Sequence, residues 1–124
     1  LALNQLLGET GVSPGDLVKV PFLHREDPSL VSRYNFHCSV AYQPGTINGA
    51  LLTPFDFVVP KTYGPTIDGE DIMLKQLEEE FGRIGITVHP VENWDLYHRK
   101  MGEVHCGSNV MRAIPYEKWW ETEP

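Results

Sequence analysis

Proline and glycine interrupt this chain too often for it to build long elements. Ten prolines and eleven glycines are spread along 124 residues. A proline fixes φ and removes a backbone donor, and a glycine favours turns, so each marks a place where an element ends or bends. The clearest helix pattern runs from about Glu70 to Ile84. Met73, Leu77, Phe81 and Ile84 recur there at steps of three and four, which predicts one apolar helix face. Asp68 is expected to cap the helix, with Asp71 three residues on in near capping-box spacing. Gly82 and Gly85 are expected to end it.

The remaining elements are short. Leu3, Leu6 and Leu7 predict the tail of a helix that stops at Gly8 or Gly11. Ser13-Pro14-Gly15-Asp16 reads as a turn. Leu17 to Val20, Cys38 to Tyr42, Ile47 to Leu52 and Phe55 to Val59 read as strands, the last bounded by Pro54 and Pro60. His24 to Phe36 reads as a loop. Ile86 to His89 reads as a strand closed by Pro90, and Asn93 to Arg99 as a helical turn or loop with Trp94 and Leu96 packing inward. Strand, strand, helix, strand is the order of an α/β or α+β module.

A chain of this length is one domain or part of one. Its 41% hydrophobic content supports a core. A net charge of −7 argues against nucleic-acid and anionic-membrane partners. No run of 18 apolar residues predicts a membrane helix. The chain opens without Met on Leu1-Ala2-Leu3, the inside of a helix pattern, so residues 1–124 are expected to be a piece of a longer protein. Cys38 and Cys106 do not make a disulfide framework, and a reducing, cytoplasmic setting is the expectation.

The octapeptide Gly102-Glu103-Val104-His105-Cys106-Gly107-Ser108-Asn109 carries the strongest chemical signal. It sets a cysteine between a histidine and a glycine, with small polar residues following. A glycine there leaves one approach to the sulfur open, as a presented nucleophile needs. His98, Arg99 and Lys100 bring positive charge, which favours a thiolate. In an extended backbone His105 would point away from the cysteine, so a structural role suits it better than general base. The competing reading of Cys106 is a small buried hydrophobe. Two His-Cys dipeptides and three further histidines lack metal-ligand spacing, so no metal site is expected in this chain. Glu78-Glu79-Glu80 reads as a solvated face, Glu103 as a loop brace, and Trp119-Trp120 as an anchor or a binding pair.

The stretch from Tyr97 to Val110 resembles the nucleophile segment of the protein-arginine deiminases. The similarity continues through Trp119-Trp120. Gly64-Pro65-Thr66-Ile67-Asp68-Gly69 resembles the loop before that family's last helix, and Ala41 to Asn48 and Leu17 to Pro21 resemble segments before it. The resemblance implies the last ββαβ-type module of a pentein-like α/β propeller, with residues 1–124 forming the C-terminal portion of a catalytic domain. It implies hydrolysis of arginine in a protein or peptide substrate to citrulline and ammonia, with calcium as cofactor. By the same resemblance Cys106 is the catalytic nucleophile and Lys100 lines the substrate cleft. The family's acid–base histidine, its two guanidinium-gripping carboxylates and its calcium ligands would all precede Leu1. Met101 and Met111 stand where animal members carry His and Arg. Two other readings stay open: a non-enzymatic deiminase-like module that serves structure or interaction, and a different cysteine hydrolase or transferase acting on guanidines.

Overall fold

The computed structural model describes residues 2–29 and 39–113. Cys38 and Trp119-Trp120 lie outside them. The described residues are mixed α/β: two α-helices, seven short strands and several 3-10 turns. Helix α1 spans Ala2–Thr10 and ends at Gly11, whose φ of 70° is left-handed. Ser13 and Asp16 close the predicted turn as a reciprocal capping box. Leu17 to Val20 joins no sheet, contrary to the expectation. Val20 instead packs its side chain on the core. Strand β1 (His24–Glu26) lies inside the predicted loop and pairs antiparallel with β2 (Ser39–Ala41).

The architecture rests on a three-stranded sheet. Strands β3 (Ala50–Thr53) and β4 (Asp56–Pro60) form an antiparallel pair, and β7 (Thr87–Val91) joins the other side of β4 in parallel. Parallel neighbours need a crossover, and α2 (Ile72–Gly82) belongs to it. The predicted order of two strands, a helix and a strand is therefore present. Pro90 does not close β7, which continues to Val91. The strand lies at the edge of the sheet, where a missing donor on the open side breaks no ladder.

Hairpin β5 (Thr66–Ile67) and β6 (Glu70–Asp71) stands between β4 and α2. Its turn corrects the predicted cap. Asp68 and Gly69 both have positive φ, 52° and 86°, which a tight two-residue hairpin turn demands. Asp71 caps α2 instead. One carboxylate oxygen accepts from the Met73 and Leu74 amides, and the other from Thr62 Oγ1 and Gly64 N. Partial burial raises the Asp71 pKa, but these four donors outweigh it and hold the group below its ordinary value.

Val59, Leu77 and Val88 form the buried core, joined by Val20, Phe57, Leu74 and Phe81. The Phe57 and Phe81 rings stack with centroids 5.2 Å apart. Ile84 falls beyond the helix and is half exposed, and Leu96 is 69% exposed, so neither extends the core as predicted. No helix among the described residues is long and apolar enough to cross a membrane.

Candidate active site

After β7 the chain folds through a series of turns rather than regular structure. The Asn93 carbonyl accepts from the Tyr97 and His98 amides, and the Tyr97 carbonyl accepts from Lys100 and Gly102. Met101 takes the left-handed conformation at the end of the 3-10 turn His98–Lys100. This winding brings Glu103 inward, where it is 7% exposed. Its Oε1 accepts from His98 Nδ1 at 2.8 Å and from Gly45 N at 3.4 Å, and its Oε2 accepts from Asn93 Nδ2 at 2.5 Å. A buried carboxylate requires such donors. Glu103 is thus a brace, as expected, but an interior one that ties the Asn93 to His98 stretch to the loop at Gly45.

Cys106 sits in the 3-10 turn His105–Gly107 and is an exposed free thiol, which sets aside the buried-hydrophobe reading. The backbone here is not extended, so the alternation that would turn His105 away does not apply. The Glu103 carbonyl accepts from Gly107 N at 3.2 Å and closes the turn. The other support is Asn48. Its carbonyl accepts from His105 N at 3.0 Å, and its side-chain amide faces the sulfur, with Nδ2 at 3.8 Å and Oδ1 at 3.9 Å.

Gly107 packs against Tyr97. A Cβ there would run into Cε1 and Cζ of Tyr97, so the tyrosine ring occupies the space a side chain would take. Gly45 is hemmed in similarly by Phe22 at 2.8 Å. The loop Tyr42 to Gly49 is tied to the cysteine turn by two hydrogen bonds, His105 N to the Asn48 carbonyl and Gly45 N to Glu103 Oε1. The buried residues Gln43 and Thr46 lie in that loop.

A cleft of about 1080 Å³ opens beside this assembly, lined by Phe22, Tyr42, Asn48, Trp94, Arg99 and Glu103 among others. Neither Cys106 nor Lys100 lines it. Lys100 is exposed on the 3-10 turn, and its neighbour Arg99 reaches the cleft while pairing with Asp95 at 3.2 Å. Asn48 is the site residue that sequence reading left without a role beside the sulfur. The Asn48 signal lay in the segment Ala41 to Asn48, already matched by resemblance. At the cleft edge Tyr63 donates its hydroxyl to Glu92. That bond, then burial, pushes the Tyr63 pKa to about 12, and the same bond holds Glu92 below the usual carboxylate range. Among the described residues no group of three or more His, Cys, Asp or Glu could hold a metal ion.

Comparison with known proteins gives this arrangement its context. The family model "Protein-arginine deiminase (PAD)" matches residues 1–121. The chain is 30% identical to human protein-arginine deiminase type-1 over 121 residues, covering 98% of this chain and 17% of that protein. It is 31% identical to mouse protein-arginine deiminase type-4 over 116 residues, or 94% of this chain and 17% of that protein. It is 28% identical to mouse type-3, covering 94% of this chain and 16% of that protein. The chain belongs to the protein-arginine deiminase family, a family of enzymes. It spans about a sixth of the length of these curated relatives.

Proposed function

We propose that this chain is the nucleophile-bearing C-terminal part of a protein-arginine deiminase catalytic domain. The observation that carries the reading is an exposed Cys106, held between Asn48 and the Glu103 brace, in a chain whose family match runs from residue 1 to 121. In this reading β3, β4, α2 and β7 make one ββαβ module of a pentein-like propeller. The Cys106 thiolate attacks the guanidinium carbon of a peptidyl-arginine, forming a C–S bond. Ammonia leaves, and water then releases citrulline and the free thiol. Guanidinium is a poor electrophile, so it needs carboxylates to position it and match its charge, together with an acid–base histidine. The reading assigns these groups to parts of the protein beyond this chain, and with them the calcium. Lys100 contacts the substrate flank, and the setting is cytoplasmic.

The non-enzymatic alternative has one observation in its favour. Among the described residues the Cys106 sulfur hydrogen-bonds only to an amide, not to an imidazole or a carboxylate. Residues 1–124 alone should therefore release no citrulline. The deciding experiment changes Cys106→Ala in the intact protein and measures citrulline formation from a peptide arginine with calcium present. Loss of several orders of magnitude is expected, as for removal of a nucleophile. Near wild-type turnover would sink the assignment.

A further inference from the structure

We infer that the Asn48 side-chain amide is the partner that sets Cys106 reactivity, and that Glu103 is the positioning residue that holds it there. The inference deepens the deiminase reading and rests on it for its catalytic meaning. Its physical content is independent of that reading.

Asn48 meets the sulfur with both amide atoms at nearly equal distance, Nδ2 at 3.8 Å and Oδ1 at 3.9 Å. A carboxamide carries a donor and an acceptor on one rigid plane. Oδ1 accepts from the S–H of the thiol, and Nδ2–H donates to the sulfur once the proton has left. The same residue therefore serves both protonation states with only a small rotation. This matters because Cys106 has no other side-chain hydrogen-bond partner among the described residues.

The amide is held from behind. Asn48 N donates to the Gly45 carbonyl at 3.0 Å, and Gly45 N donates to Glu103 Oε1. Glu103 stands three residues before the cysteine and is tied in turn to Asn93 and His98. One buried carboxylate thus joins the loop that carries the amide to the turn that carries the thiol. Removing it leaves several buried donors without an acceptor, and the two segments lose their common register.

The test is the rate at which iodoacetamide alkylates Cys106 in the intact protein at pH 8, read by mass spectrometry of its own peptide so that Cys38 is counted separately. The reagent is neutral, so a new charge does not repel it. Asn48→Asp keeps the shape, removes the Nδ2–H donor and puts a like charge beside the thiolate. It should slow alkylation about tenfold. Asn48→Ala removes the amide alone and should slow it about threefold to tenfold. Both keep the backbone carbonyl that receives His105 N, and because Asn48→Ala adds no charge, an asparagine with a merely structural role would leave the rate of that variant unchanged. Glu103→Gln should slow alkylation in the same direction and lower Tm as well.

Near-UV circular dichroism shows which variants fold, and Asn48→Ala decides the outcome if the aspartate variant does not. Unchanged alkylation in a folded Asn48 variant overturns the inference. Citrulline formation is measured in parallel. A wild-type protein that makes none, with alkylation still dependent on Asn48, defeats the deiminase reading and leaves this one standing.

Discussion

Two regions of this chain are held together by different forces. The β4–α2–β7 unit closes on Val59, Leu77 and Val88, with the stacked Phe57 and Phe81 beside them. Its cohesion is apolar burial, which is non-directional and tolerates small shifts. The segment from Asn93 to Ser108 contributes none of the buried apolar residues. It closes on Glu103, a buried carboxylate with directed hydrogen bonds to a histidine, an amide side chain and a backbone N–H. Directed bonds fix positions more narrowly than apolar contacts do. The comparison separates stability, which belongs mainly to the first region, from the placement of the thiol, which belongs to the second.

The largest effect on stability should come from the first region. Leu77 is fully buried, and Leu77→Ala should cost about 2–5 kcal/mol through lost transfer energy and a residual cavity. Urea unfolding measures it. Cys106 alkylation in the folded protein should stay at the wild-type rate. A slower rate there would break the separation, because it would mean the helix also sets the thiol.

Gly107→Ala perturbs the second region. The new Cβ must displace the Tyr97 ring, at a cost of about 1–3 kcal/mol typical of overpacking. The Cys106 turn should move with the ring, so alkylation and Tm should change together. Wild-type values for both would show that Tyr97 has room to yield.

Asp71 tests a polar feature inside the first region. Asp71→Ala should cost about 1 kcal/mol near neutral pH through the lost cap. The folded-state pKa of Asp71 is held below its ordinary value. Its stabilisation is therefore present above the unfolded carboxylate value of about 3.9, and is lost as pH falls through the folded value below that. The Tm gap between wild type and Asp71→Ala should be widest near pH 6 and close on acidification toward pH 2.5. A gap that stays constant with pH would deny the carboxylate this role.

The smallest expected effect is at Lys100, which is exposed and outside the cleft lining. Lys100→Ala should leave Tm unchanged and, under the deiminase reading, raise KM more than it lowers kcat, as loss of a contact shared by ground and transition states does. Unchanged kinetics on a peptide arginine would make it a solvated surface lysine.

Much of this molecule is determined by local sequence. Helix α2 is legible because Met73, Leu77 and Phe81 repeat at helical spacing, and the Ser13–Asp16 turn because its capping chemistry is complete within four residues. The exposed nucleophile candidate is legible in the residues around Cys106. Other features depended on distant partners. Which aspartate caps α2 followed from the hairpin turn, where positive φ at Asp68 and Gly69 commits them to β5–β6 and leaves the helix start to Asp71. Pro90 continues β7 only because that strand is an edge. Val20 reached the core without a strand, while Ile84 and Leu96 stayed exposed, because burial is decided by what packs opposite. Asn48 meets Cys106 across 58 positions of chain, and Glu103 meets Gly45 across the same separation. Periodicity and spacing carry no record of such long-range contacts; only tertiary folding makes them.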